Sequence, residues 1–230
     1  AMCGRYATGK ISKKKFEETL DTELVEIPSS FNLCPGRDNP VIAEEDGGIT
    51  SAKMRWGLVP NWSKEPRPDA SSINARSETM AEKPFFRDSF RSRRCLVPAD
   101  GYYEWLTDGK RKTPFFIHLP EEEPFAFAGL WDRWEGSGTE PFFSYAVATT
   151  EAAESVRLIH HRMPVVLPER HWMAWLDSST STDDLSSILK DAEGGFEHRT
   201  VSDLVNDVRN DSPELKRFAS RDTQDSFDFL

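Results

Sequence analysis

A chain of 230 residues with 37% hydrophobic and 30% charged side chains can bury a real core as one large domain or two small ones, and one is expected. No stretch approaches the ~20 consecutive apolar residues of a membrane span, and the opening residues lack the apolar run of a signal peptide, so a cytosolic protein is expected. The formal net charge of −10 argues against a general polyanion binder, because nonspecific affinity for nucleic acid rests on Lys and Arg neutralising phosphates.

Taken in chain order, helical spacing predicts a first helix over 13–20, and aromatic and β-branched enrichment predicts a strand over 50–56. A helix is predicted at 84–91, followed by strands at 94–97, 102–105, 114–119, 125–131 and 142–149. Helical spacing then recurs at 151–159, 168–176, 183–190 and 201–208, several of these with Ser, Thr or Pro near their starts. Strands joined mostly by loops, with helices gathered late, predict an α+β fold: one domain with a strongly curved, mostly antiparallel β-sheet or partial barrel core surrounded by helices. The domain is expected to occupy 1–218, and 219–230 to form an acidic, mobile tail.

Charge is unevenly spread. Acidic residues gather at 44–46, at 121–123 and from Asp177 onward, while basic residues gather at 10–15 and 87–94. A local basic groove on an acidic body therefore stays open beside the plainer reading of solvated faces. Cys3, Cys34 and Cys95 form no close pair and no metal-ligand spacing, which argues against a disulfide framework and a zinc site; no cofactor is expected.

Cys3 lies one position behind a methionine of the kind that starts translation, and a Met-Cys pair is a good substrate for methionine removal. A chain that begins at the cysteine carries an amine and a thiol on adjacent carbons, which together condense with an aldehyde into a five-membered thiazolidine. Such an amine, with a pKa near ~7.7, is partly unprotonated at neutral pH. Here Ala1 and Met2 precede Cys3, so its nitrogen is an amide; Ala1 ahead of an initiator-like methionine reads as a cloning scar.

Four blocks place polar groups among bulky or turn residues without a periodic reason. They are Cys3-Gly4-Arg5-Tyr6, Ile73-Asn74-Ala75-Arg76-Ser77-Glu78-Thr79, Ala99-Asp100-Gly101-Tyr102-Tyr103-Glu104-Trp105 and Ile159-His160-His161-Arg162-Met163-Pro164. With Trp56-Gly57-Leu58-Val59-Pro60 and Gly129-Leu130-Trp131 beside them, the chain resembles the SRAP family of SOS-response-associated peptidases or abasic-site-processing proteins, from Cys3 to about Pro213. The resemblance implies an enzyme whose partner is single-stranded DNA containing abasic sites. An N-terminal cysteine would form a thiazolidine with the ring-opened deoxyribose aldehyde and shield the lesion during the DNA damage response, near the nucleoid. AP-lyase and autoproteolytic activity belong to the same expectation.

The resemblance also sharpens individual residues. An abasic sugar is mostly a closed hemiacetal, so a proton-transfer group must open it, and Glu104 and His160 are the candidates. Glu104 lies between Tyr103 and Trp105, an apolar setting that favours a raised carboxyl pKa; the alternative is strand alternation with Glu104 solvated. His160 is preferred over His161 by its place in the motif. Asn74 suits holding the amine beside the aldehyde, its alternative being a turn or helix cap. Arg5, Arg76 and Arg162 are candidate phosphate clamps, or else partners of Glu78, Glu104 or Glu151; Ser77 joins the DNA-contacting set. Trp62 is a candidate stacking surface for a base next to the lesion, whereas Trp131, Trp134, Trp172 and Trp175 are expected in the core. Thr149 is expected to precede a helix and either cap it or bind phosphate.

Cys3, His160 and Asn74 are also the components of a thiol-dependent (auto)peptidase, and a noncatalytic lesion binder is a third reading. The terminal run Gln224-Asp225-Ser226-Phe227-Asp228-Phe229-Leu230 loosely resembles peptides that dock on replication sliding clamps; the alternative is a tail packing its phenylalanines on the domain.

Overall fold

A computed structural model describes residues 3–66, 72–136, 138 and 140–219. Its elements are β1 (Tyr6–Ala7), α1 (Lys13–Leu20), β2 (Asp38–Glu45), β3 (Gly48–Trp56), β4 (Asn74–Arg76), α2 (Arg87–Ser92), β5 (Arg94–Ala99), β6 (Gly101–Asp108), β7 (Arg111–His118), β8 (Phe125–Trp134), β9 (Phe142–Glu151), β10 (Arg162–Pro164), β11 (Val166–Leu167), α3 (Trp172–Leu176), α4 (Thr182–Lys190) and β12 (Glu197–Thr200). Among the described residues no helix is long and apolar enough to cross a membrane.

Five strands close into a barrel. β9 pairs with β3, β3 with β2, β2 with β5, β5 with β8, and β8 returns to β9; only the β3–β9 contact is parallel. Strand alternation then separates two apolar faces. Ile42, Leu96, Ala128, Leu130 and Ala146 pack outward beneath Phe16, Leu20, Trp172 and Trp175, so the helices cover the barrel's outside. Val41, Ala43, Cys95, Val97, Phe127, Tyr145 and Val147 turn the other way and cluster with Cys3, Tyr6 and Tyr102. That interior is tight: a Cβ added at Gly129 would lie 2.6 Å from the Cys95 sulfur.

A second, antiparallel sheet runs β1-β6-β7-β12 and shares the interior cluster through one face of β6. Tyr102 faces the barrel; Tyr103 faces the opposite way, onto Phe116, Val201, Val205 and Leu215. A strap at 201–219 crosses that opposite face and is fastened by buried Lys216, whose ammonium is 3.0 Å from both Asp100 and Glu122.

The six predicted strands are present, as are the helices at 13–20 and 183–190, and the α+β expectation holds with the barrel closed rather than partial. The helix predicted at 84–91 is shorter, Arg87–Ser92, and the one at 168–176 divides into a 3-10 turn, Glu169–His171, and α3. Residues 151–159 do not form a helix. Ala152, Val156 and Ile159 have helical spacing and are buried, but β9 runs through Glu151 and the Ala152 N–H must reach the His161 carbonyl at 3.0 Å, so the segment coils back as successive turns. In 201–208, only Asp203–Asn206 is helical, as a single 3-10 turn. Ala219 is the one residue of the expected tail that is described; the clamp-like run 224–230 lies outside the described residues.

Candidate active site

The N-terminal segment is pinned on both edges. Tyr6 exchanges backbone hydrogen bonds with Leu33 (3.2 and 2.9 Å), and the Tyr103 N–H donates to the Arg5 carbonyl at 3.0 Å. At Cys3 the backbone turns through a left-handed φ of 40°, an unusual conformation for a residue with a side chain. The Cys3 N–H donates to Glu104 Oε1 at 2.6 Å, across 101 residues of sequence. Cys3 is fully buried, and burial first, then the neighbouring Glu104 carboxylate, pushes its thiol well above the ordinary range.

Glu104 is 4% exposed. The solvated alternative fails because both faces of β6 are covered, and alternation sends Glu104 to the same side as Tyr102 and Cys3. Burial raises its carboxyl to about 7; hydrogen bonds from the Cys3 and Trp105 amides offset only part of that rise. Its nearest described hydrogen-bond donor at Oε1 is an amide rather than a cation. The Tyr102 hydroxyl is also fully buried and has no hydrogen-bond partner among the described residues; Cys3 and Glu104 both raise its pKa in addition to burial.

His160 is half-buried, and its Nδ1 lies 3.1 Å from the Arg162 amide nitrogen. The same nitrogen lies 3.2 Å from the Arg162 carbonyl, so the Arg162 backbone holds the ring in place through Nδ1. His161 stacks on it at 4.5 Å between centroids but is exposed. Glu104 and His160 line one cavity of about 400 Å³, with Trp105, Thr107, Lys112 and Asn206 completing its wall. Backbone and cavity together thus bring Cys3, Glu104 and His160 to one place. Among the described residues no group of three His, Cys, Asp or Glu is placed to hold a metal.

Asn74 opens β4, half-buried and registered against Val147 of β9, and so is neither a turn nor a helix cap. Two residues on, Arg76 is exposed beside a second cavity of about 500 Å³ that it shares with Glu78, Thr79, Thr150, Glu151 and Arg162. Arg162 takes the ion-pair alternative. Its fork grips Glu78 bidentately (2.6 and 2.9 Å) and donates to the Thr149 carbonyl at 2.8 Å, holding the Glu78 carboxyl below its usual range. Thr149 itself is a correction: it is fully buried inside β9 and caps nothing, because that strand continues to Glu151. Its carbonyl also accepts from the half-buried Ser77 amide at 2.8 Å.

Arg5 points away from this cavity's arginines, into the strap. Its guanidinium donates to Asn32 Oδ1 (2.8 Å), the Val205 carbonyl (2.6 Å) and the Asn206 carbonyl (3.5 Å), and lies 5.9 Å from the centre of the Trp105 ring. Trp62 is 58% exposed and meets Phe85 edge-on at 6.3 Å. Its loop is held from beneath, Asn61 N–H on Asp132 (3.0 Å) and Trp134 Nε1–H on the Ser63 carbonyl (2.9 Å). Trp131, Trp134, Trp172 and Trp175 are buried, as expected. Asn206 and Lys112 went unrecognised in the sequence. Asn206 arrives from a distant strap with no local signal, whereas Lys112 belongs to the readable basic run Gly109-Lys110-Arg111-Lys112.

Comparison with known proteins agrees with this layout. The abasic site processing protein YoqW of Bacillus subtilis (strain 168) is 38% identical over 221 residues, covering 93% of this chain and 98% of the relative. The abasic site processing protein HMCES of Gallus gallus is 36% identical over 218 residues, covering 80% of this chain and 65% of that protein. A solved structure from Bacteroides thetaiotaomicron superposes with a TM-score of 0.81 at 27% identity, covering 94% of this chain and 100% of that one. A phage-related protein from Bordetella bronchiseptica gives 0.69 at 29% identity, with 86% and 94% covered. A family model described as SOS response associated peptidase (SRAP) matches residues 2–208, and the chain belongs to that family.

Proposed function

We propose that this protein processes abasic sites in single-stranded DNA and, once the residues ahead of Cys3 are removed, captures the lesion as a thiazolidine crosslink that shields it during the DNA damage response. The observation that carries this reading is the 2.6 Å contact between the Cys3 nitrogen and a buried carboxyl held near neutrality, with His160 on the same cavity. In the chemistry proposed, a proton from the His160 ring passes to the sugar ring oxygen as the C1′–O bond breaks, the C1′ hydroxyl proton passes back to that ring, and the C1′ aldehyde is freed. Glu104 accepts a proton from the Cys3 amine, the amine adds to C1′, and Glu104 returns the proton to the departing hydroxyl, which leaves as water. The thiol then adds across the C=N bond, its proton passing to nitrogen. One water is lost overall. A carboxyl with a pKa of about 7 serves both directions of transfer at neutral pH.

Asn74 orients the amine, Arg76 and Ser77 hold a flanking phosphate, and Trp62 stacks on a base beside the gap. Arg162 and Thr149 shape that phosphate cavity, and Arg5 fastens the N-terminal segment to the strap. A thiol peptidase is a poorer fit, because hydrolysis needs a thiolate and the Cys3 thiol is pushed strongly toward its neutral form. AP-lyase cleavage would proceed from the same imine.

The test is a denaturing gel of single-stranded DNA carrying one abasic site. The chain matured to Cys3 should give a heat-stable adduct, and both Cys3→Ala and the chain retaining Ala1 and Met2 should give none. Peptide hydrolysis without an adduct would overturn the reading.

A further inference from the structure

We propose that the tip of the β6–β7 hairpin is a second phosphate-binding element, gripping the DNA backbone on the side of the lesion away from Arg76. Lys110, Arg111 and Lys112 are consecutive and exposed there, and nothing in the reading above assigns them a role. The inference rests on the single-stranded DNA reading.

The tip is a fixed platform. β6 and β7 stay in register from Tyr102↔Ile117 to Asp108↔Arg111 and close through Gly109-Lys110, with Gly109 supplying the positive φ of 56° at the first turn position. Lys112 pairs across the strands with Thr107, and both line the cavity that holds Glu104 and His160. Its ammonium therefore belongs to the rim of the reaction pocket.

Several of the chain's other cations are committed to carboxylates. Arg162 is committed to Glu78, Arg93 to Asp132, Arg199 to Glu122 and Lys216 to Asp100. Among the described residues, neither Lys110 nor Lys112 has an ion-pair partner. On a protein of net charge −10, Lys112 at the pocket rim and Lys110 at the adjoining turn focus a local positive field. Lysine, a point charge on a flexible stem, suits phosphates of any sequence better than one base edge.

Position gives the path. His160 on the first cavity is two residues from Arg162 on the second. A strand crossing from the Arg76 cavity past His160 and Glu104 leaves the pocket beside Lys112. The hairpin thus contacts nucleotides on one side of the lesion only.

The experiment uses the full chain in a Cys3→Ala background, so that binding is noncovalent, with and without Lys110→Ala/Lys112→Ala. Three single-stranded probes carry one tetrahydrofuran abasic analogue at the centre, near the 5′ end or near the 3′ end. With the central probe, the double variant should bind about tenfold more weakly, and the slope of log affinity against log salt should fall by about 1.4, two phosphate contacts at ~0.7 each. One end-placed probe should show the same loss and the other none, while Lys14→Ala leaves all three unchanged. Equal losses on all three probes, or no change in slope, would overturn the hairpin assignment. If the parent chain itself neither prefers the abasic probes nor, with Cys3 restored and matured, forms an adduct, the function reading fails and this inference falls with it.

Discussion

Glu104, on β6, and Glu122, in the 3-10 turn that follows β7, are the same side chain put to opposite uses. Burial raises both. At Glu122, hydrogen bonds from Lys10, Lys216 and Arg199 outweigh burial and hold the carboxyl at about 2. At Glu104 the hydrogen bonds that oppose burial come from amides and offset it only in part, and the carboxyl stays near 7. A carboxylate ringed by cations is a fastener, permanently ionised; one hydrogen-bonded by amides in an apolar setting remains able to take and return a proton. The supply of cations and the depth of burial together assign the role.

The strongest way to break this contrast is Glu104→Gln. It should slow single-turnover crosslinking by about 10²-fold or more, the usual contribution of a positioned acid-base group, while leaving the thermal midpoint unchanged or higher. A crosslinking rate within threefold of the parent would remove Glu104 from proton transfer.

Glu122→Gln should do the reverse. Removing the acid leaves Lys216 and Arg199 without part of their counter-charge, at a cost of about 3–5 kcal/mol measured by denaturant unfolding. The crosslinking rate of the folded fraction should not change. A slowed rate at full folding would mean that the fastener also shapes the site.

The pH dependence of stability sharpens the comparison through its sign. For Glu104 the folded pKa lies above the ordinary 4.5, so its stabilising contribution is complete below pH 4.5 and is lost as pH rises toward 7, by roughly 3 kcal/mol. For Glu122 the folded pKa is depressed, so its contribution is present above pH 4.5 and is lost as pH falls toward 2. Urea titrations of the parent and each Gln variant across pH 3 to 8 should therefore give difference curves of opposite slope; slopes of one sign would end the distinction.

The smallest expected effect lies farthest from both acids. Trp62→Ala should weaken single-stranded DNA binding by ~1–3 kcal/mol through lost stacking, with no change in unfolding midpoint. An unchanged affinity would make this exposed ring a loop anchor on Phe85.

Much of this was legible in the sequence, for physical reasons. The six aromatic and β-branched segments became strands because local propensity and burial agree in them, and the blocks around Cys3, Asn74, Glu104 and His160 announced polar groups in apolar company. Barrel closure was not legible. It depends on a parallel contact of two residue pairs, Arg55↔Ser144 and Trp56↔Tyr145, which no periodicity encodes. The spacing of Ala152, Val156 and Ile159 misled because buried turns can show the same period as a helix, and Thr149 was misplaced with it. Arg5 looked like a phosphate clamp; the carbonyls that occupy its fork lie 200 residues away at Val205 and Asn206.

The burial of Cys3 also bears on oxidation. Peroxides attack thiolates at accessible positions, and a fully enclosed sulfur kept protonated by its surroundings offers neither the charge nor the access. Oxidising conditions are among those that strip bases from DNA. If the proposed crosslink forms, a sulfur that ionises only with difficulty stays reduced under the same stress that creates abasic sites.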